Sequence, residues 1–313
     1  MPSELDPIFQ FVHEATAHFP RRKQRLMAAY YVRALQTGNP VNLRQAVPPN
    51  LYPAVRHFLA ESDWDHREVM WRAAAQVLPQ MDVEWLACHV SAVADKWSFA
   101  WLAAYDGEHA LPLDLVLVGP AGLTRSRPEY MSAQLELLRE APDSLLTRAP
   151  LGIADALAED AAVRRWLAER GVTYSAKVKP TARALGSVVD RSGRRPLQVV
   201  IDTMQGDASA IEDVPMTWAA RSLKLRAPDG VVSEEVVVSY WHDDRLAAVV
   251  LTNERDKTQI ALNFNPAQRR LRALPAMRWR RTGLRGARAW EHHLALLTVL
   301  QACQVLRSSE HRG

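Results

Sequence analysis

Eight arginines fall between Phe264 and Trp290: Arg269, Arg270, Arg272, Arg278, Arg280, Arg281, Arg285 and Arg288. From Lys257 to Trp290 there is no Asp or Glu to balance them. Guanidinium groups hold phosphate and sulfate through paired N–H donors, so a run of this kind predicts an anion site, with Arg278, Arg280, Arg281 and Arg285 as its ligands. Lys177 and Lys179 alternate in an apolar segment, which on a strand puts both on one face, toward a common cleft or, more simply, on a solvent-facing strand edge. The anion that such cations would bind is a DNA backbone, a nucleotide or an acidic partner protein, and residue types alone do not choose among the three.

Other reactive side chains offer less. Cys88 and Cys303 stand far apart and in no CxxC spacing, which predicts two reduced, buried thiols rather than a zinc site or a disulfide. His292 and His293 are neighbours on a helix, where adjacent side chains diverge, so they do not form a metal pair. His242-Asp243-Asp244 reads as a turn, and Asp63-Trp64-Asp65 as a helix start with Asp63 as the cap. Phosphate-binding glycine loops and the GxSxG elbow are missing.

The elements that must position these residues follow from hydropathy and composition. The 313 residues are 48% hydrophobic and 24% charged, with 39 Lys and Arg against 35 Asp and Glu, a mildly basic balance of +4. Length and composition predict two or three packed units. No window approaches the roughly 18 apolar residues of a membrane span, and the first residues do not read as a secretory signal, so a cytoplasmic protein is expected.

Residues 1–78 show helical spacing, broken at Gly38-Asn39-Pro40 and Pro48-Pro49-Asn50. Residues 79–180 read as short apolar strands with helices between them: strands from Val83, Trp97 and Leu111, a helix over 127–139, and a buried strand over 151–160 that ends at an acid. A helix over 161–171 and a strand from Val172 follow. Strand, helix and strand joined by short loops imply a parallel or mixed sheet. Residues 181–263 turn to β, with QVVID read as one of the strands, and residues 264–313 hold the arginine segment and a closing helix.

Three blocks in this order resemble the insertion-sequence transposases of the DDE, ribonuclease-H-like type. They are HFLAESDWDHREVM (57–70), LGIADALAEDAAVRRWLAERGVTYSAKVKP (151–180) and RGARAWEHHLALLTVLQACQVL (285–306). LPLDLVLVGP, from Leu111, resembles the segment between that family's first and second acids. The resemblance implies an α/β fold: a helical N-terminal domain and a ribonuclease-H-like mixed-sheet core with a β-rich insertion. It also implies three acids that hold two divalent ions for attack on a phosphodiester. Asp155 aligns with the second acid and Asp160 with a further acid of the same loop. Where the first acid is expected the chain has Cys88-His89, and no glutamate follows the Arg278-Trp279 pair. A thiol and an imidazole suit magnesium poorly.

The resemblance therefore implies a transposase-like protein that has lost its two-metal nuclease site and been repurposed to bind a phosphate-bearing ligand. DNA would then be held through the helical domain and the arginine segment. As an alternative it implies a recruited subunit in natural-product biosynthesis. That subunit would be sulfotransferase-like, use 3′-phosphoadenosine 5′-phosphosulfate and act with a partner, with Asp155 or Asp160 as base or orienting group. Asp155 has a plainer reading as the cap of the next helix. A scaffold role, with the last helix offering an apolar surface to a partner, is a third expectation.

Overall fold

The computed structural model describes residues 7–37, 44, 47–93, 97–121, 128–179, 181–182, 185–190, 193–211, 214–256, 284 and 286–310. The architecture is mixed α/β and contains a large mixed sheet. The chain divides into two compact units. No helix among the described residues is long and apolar enough to cross a membrane.

The first unit opens with helices α1 (Pro7–Ala15), α2 (Arg22–Thr37), α3 (Tyr52–Glu61) and α4 (His66–Val77). Helix α4 forms because Asp65, in extended conformation, accepts hydrogen bonds from the main-chain N–H groups of Arg67 (2.8 Å) and Glu68 (3.4 Å). Those are two of the donors every helix start leaves unpaired. The cap is thus Asp65 and not Asp63. Val69, Met70, Ala73 and Val77 form the buried stripe, joined by Ala74.

After α4 comes β1 (Trp85–Val93), whose second half belongs to this unit, followed by β2 (Trp97–Tyr105) and β3 (Ala110–Pro120), in the order β3-β2-β1. Strands β2 and β3 are antiparallel. Asp114 lies fully buried in the middle of β3 and is completely bonded. Arg67 grips it through two parallel donors at 2.8 and 2.6 Å, Trp71 Nε1 donates at 3.1 Å, and the Leu115 N–H at 2.8 Å.

The last helix, Ala287–Glu310, also belongs to the first unit. It packs against α1 to α4 and β3 and is buried nearly all round, Leu294, Ala295, Leu296, Leu297 and Val299 included. A helix that is apolar on every side belongs in a core. Its apolar residues are thus spent inside the unit, which corrects the expectation that they face a partner. The adjacent histidines diverge as expected. The His292 ring stacks on Trp64 with centroids 3.7 Å apart, its Nδ1 lies 2.8 Å from the Leu59 carbonyl and its Nε2 lies 3.0 Å from the Trp64 carbonyl. His293 Nδ1 meets the Tyr31 hydroxyl at 2.6 Å.

The second unit takes the first half of β1 and continues with α5 (Pro128–Glu140), α6 (Asp143–Leu146), β4 (Leu151–Ala154), α7 (Asp155–Glu159), α8 (Ala161–Glu169) and β5 (Tyr174–Val178). There follow β6 (Ser187–Asp190), β7 (Gly193–Pro196), α9 (Leu197–Met204), β8 (Ser209–Ile211), β9 (Val214–Arg226), β10 (Val232–His242) and β11 (Arg245–Thr252). The strand order is β1-β4-β5-β11-β10-β9-β6-β7, with β8 beside β9. Strands β1, β4 and β5 run parallel and the remaining pairs are antiparallel.

Two expectations change in this unit. The segment read as a strand over 151–160 leaves the sheet after Ala154, because α7 starts at Asp155 and turns Leu157 and Ala158 inward. QVVID is helical, as part of α9. Its β-branched residues suggest a strand, but the buried set is Leu197, Val200, Ile201 and Met204, a three-and-four spacing that only a helix places on one face. The turn at Asp243-Asp244 is as expected: both residues have positive φ, 47° and 60°, as a tight two-residue hairpin requires.

A buried ion pair ties the parallel and antiparallel parts of this sheet together. Arg164 of α8 and Glu235 of β10 are 1% and 4% exposed. Arg164 donates to the two carboxylate oxygens at 2.8 and 3.1 Å and to the Ala158 carbonyl at 2.6 Å. Tyr174 of β5 (3.1 Å) and Ser233 (2.8 Å) donate to the same carboxylate. Burial, and then the Glu235 charge, push the Tyr174 hydroxyl far above its usual range, so it remains a donor.

Two predictions follow. Arg164→Met leaves Glu235 buried without its counter-charge, and urea unfolding should report a loss of about 3–5 kcal/mol. The double change Arg164→Met with Glu235→Leu should recover most of it. In the first unit, burial lowers His292 to about 4 and His293 to about 3. For His292 the two carbonyls act upward, and His66 and Arg288 act downward. A neutral ring donates from one nitrogen only, so one of its two carbonyl contacts is a hydrogen bond at any time. The folded state therefore resists protonation that the unfolded chain accepts near 6.5. Stability should be complete above about pH 6.5 and fall as pH drops toward 4, by up to about 1.4 kcal/mol per pH unit for each histidine. Urea titrations at stepped pH on the parent and on His293→Phe check this: a flat profile below 6.5 refutes it, and the variant should have the shallower slope.

Candidate functional site

Parallel β4 and β5 end side by side next to the middle of β1, and in parallel sheets ligands bind beyond the carboxyl ends of the strands. Leu86, Ala87 and Cys88 of β1 stand opposite Leu151, Gly152 and Ile153 of β4. Ile153 and Ala154 stand opposite Ala176 and Lys177 of β5. Facing residues of neighbouring strands share a side of the sheet, and successive residues alternate. Cys88, Ile153 and Ala176 therefore point to one side, and His89, Ala154 and Lys177 to the other.

The Cys88 side is closed. Its thiol is buried and lies 3.8 Å from the Gln134 carbonyl of α5, while Gln134 Nε2 returns a bond to the Cys88 carbonyl at 3.4 Å. On the opposite side His89 is half-buried and Lys177 exposed. Gly152 faces that side as well: a Cβ would come within 2.9 Å of the Trp85 indole nitrogen, so only glycine lets that ring lie across β4.

Asp155 is the first residue beyond β4 and is half-buried. Its φ is +57°, a left-handed conformation that costs an L-residue other than glycine roughly 1–2 kcal/mol, less for aspartate. Strained non-glycine residues at a strand-to-helix elbow concentrate where a side chain must be aimed. Asp155 is not the cap residue of α7, which is Ala154, without a side-chain bond. Asp160 does cap: it accepts from Ala162 N–H at 2.8 Å and Val163 N–H at 3.3 Å at the start of α8. Lys179 lies just past β5, exposed, with its main-chain N–H donated to Glu159 at 3.3 Å.

The structure thus brings Asp155, Lys177 and His89 to one strand-end region and puts Asp160 to work on a helix terminus. Arg278, Arg280, Arg281 and Arg285 lie outside the described residues. No group of three or more His, Cys, Asp or Glu among the described residues is placed to hold a metal ion. The donor set agrees with that: one carboxylate, one imidazole and a cation do not suit two magnesium ions, which need several oxygen ligands. The residues here do not fit a two-metal centre.

A second cationic region was missed in the residue-by-residue reading. From Ala15 to Ala60 there is no Asp or Glu, yet the stretch contains Arg21, Arg22, Lys23, Arg25, Arg33, Arg44 and Arg56. All but Arg25 are exposed. Arg22, Leu26 and Arg33 fall along one stripe of α2, and Leu26 is 44% exposed. Arg44 stacks over the Tyr52 ring at 5.4 Å. Arg21, Arg22, Lys23 and Arg56 have no carboxylate partner among the described residues. The signal was the missing acids, hidden because the cations are spread over 46 residues rather than packed into a short run.

No model of a known protein family matches the sequence, and no curated protein matches it.

The two aspartates should separate in a stability experiment. Asp160→Ala removes a cap and should cost about 0.5–2 kcal/mol. Asp155→Gly relieves the left-handed backbone and should cost nothing or add slightly to stability, while Asp155→Val should destabilise. Thermal unfolding of the three variants is the measurement; equal losses for Asp155→Gly and Asp160→Ala would mean that Asp155 is merely structural.

Proposed function

We propose that the chain is a transposase-like protein of the DDE, ribonuclease-H-like class that has lost its two-metal nuclease site and binds DNA through its phosphates. The observation that carries this reading is the register of β1, β4 and β5. It puts Cys88-His89, midway along β1, beside the end of β4 and Asp155; the proposed class has a carboxylate at each of these positions, and this chain has one. The remaining topology supports it: an antiparallel β2–β3 pair beside β1, parallel β1, β4 and β5 joined through helices, and a β-rich segment after β5. The ribonuclease-H-like character of the sheet is part of the proposal.

The acid-free stretch from Ala15 to Ala60 supports a polymeric anion over a single nucleotide. Its cations extend along a helix of sixteen residues and on to α3, a span suited to a row of phosphates. Lys177 and the arginine segment are further cations the reading assigns to anion binding, and a partner subunit in the cytoplasm completes the reading.

A gel-shift titration with duplex DNA should show affinity that falls steeply between about 50 and 200 mM salt, without strong sequence preference. Changing Arg21, Arg22 and Lys23 together to Gln should flatten the log–log salt slope by roughly 0.9 for each phosphate contact removed. No binding at low salt refutes the DNA reading, and magnesium-dependent strand cleavage by the pure protein refutes the loss of the metal site.

A further inference from the structure

Helix α2 packs on α1, α3 and the last helix with one side and turns the other to solvent. Ala28, Ala29, Tyr31, Val32, Ala34 and Leu35 are buried and mark the inner side. At about 100° per residue, the outer side carries Arg22, Arg33, Leu26, Tyr30 and Lys23 in that order around the axis. All are exposed except Tyr30, which is half-buried. Leu26 stands near the middle of this face and is 44% exposed, one of four large apolar side chains left open among the described residues. Of the four it alone sits on a helix without an acid.

Tyr30, four residues on, lengthens the apolar strip that Leu26 begins, and the three cations flank it. A face serving solubility needs the cations but not the leucine. The combination suits a partner that shows apolar groups between two rows of negative charge. Duplex DNA does so in its major groove, where thymine exposes its 5-methyl group and a phosphate strand runs on either side. The dimensions agree. The major groove, about 12 Å wide, admits a helix, and the minor groove, about 6 Å wide, does not. Arg22 and Arg33 are separated by a rise of about 16 Å, so a helix lying obliquely in the groove brings both of its ends to phosphates.

We infer that α2 enters the major groove of duplex DNA, with Leu26 and Tyr30 against thymine methyl groups and Arg22, Lys23 and Arg33 on the flanking phosphates. This rests on the DNA reading above, and it names the element and the groove: a weak readout of thymine added to binding of the backbone.

Gel-shift titrations of the whole protein with an alternating adenine–thymine duplex, and with the same duplex carrying deoxyuridine in place of thymidine, test it. The two differ only in the methyl group, and the thymine form should bind about fourfold more tightly for each methyl covered. Leu26→Ala should remove most of that ratio, whereas Arg22→Gln should weaken binding to both duplexes alike. Leu26 is on the surface, and circular dichroism will report whether its variant folds. If it does not, the two duplexes with the unmodified protein decide the matter. Equal affinity for the two duplexes, or an unchanged ratio in folded Leu26→Ala, overturns the groove assignment and leaves the DNA reading standing. No binding to either duplex at low salt overturns both.

Discussion

The second unit is organised around one buried charge pair. Moving a guanidinium and a carboxylate out of water costs several kcal/mol each, and only close, complete bonding returns that cost. Arg164 and Glu235 meet the condition with two parallel bonds, and the Ala158 carbonyl, Tyr174 and Ser233 fill most of the remaining sites. Such an arrangement tolerates little displacement. It ties α8 to β5 and to β10, with β11 between those strands, and through the Ala158 carbonyl it also fixes the end of α7. Asp160, between those helices, is held where it can cap α8. The elbow at Asp155, one short helix earlier, is therefore anchored at both ends, by β4 before it and by the Arg164 network after it. A left-handed aspartate survives only where its surroundings hold it in this way.

That anchoring bears on what the strand-end region can do. The face with His89, Ala154 and Lys177 presents an imidazole and a lysine, with Asp155 just past the end of β4, a mixed set with no excess of negative charge to attract a divalent cation. The opposite face is closed by α5, where the Cys88 thiol is bonded to Gln134 and takes no part. Chemistry here would have to run through proton transfer or charge pairing at Asp155 and Lys177. Binding of phosphate is compatible with Lys177 and opposed by Asp155, which is one reason the proposed polyanion contact is assigned to the acid-free helices.

The sequence made some of this visible and hid other parts for physical reasons. Strands β2 and β3 were readable because largely apolar runs of about ten residues between polar turns have few other solutions, and the Asp243-Asp244 turn because aspartate accepts positive φ. QVVID was not readable, since Val and Ile favour strands locally while burial chose the helical face. The early exit of β4 after Ala154 was hidden because Leu157 and Ala158 continue an apolar run whether they lie on a strand or in a helix. The Arg164–Glu235 pair, 71 residues apart, leaves no local trace, and each member alone looks like an ordinary surface charge. Asp63 and Asp65 are equivalent as caps by type, and Trp64 decides between them. Its ring is needed in the core, stacked on His292, so the helix starts only after it.

Charge distribution along the chain shows why the net value misled. The formal total is +4, close to neutral for 313 residues. Residues 15–60 contribute seven cations and no acid, and residues 264–290 eight more without an acid, so the rest of the chain carries −11. Mixed surfaces that serve solubility intersperse the two signs, because like charges in a row repel and destabilise. Here two stretches accept that repulsion, one on exposed helical positions where Arg21, Arg22, Lys23 and Arg56 find no carboxylate among the described residues. A field built this way draws in polyanions over distances comparable with the Debye length, about 8 Å at physiological salt. On the proposed reading, such a field favours holding a phosphate backbone, and a strand-end region with a single carboxylate gathers too few oxygen ligands for the divalent cations that would cut it.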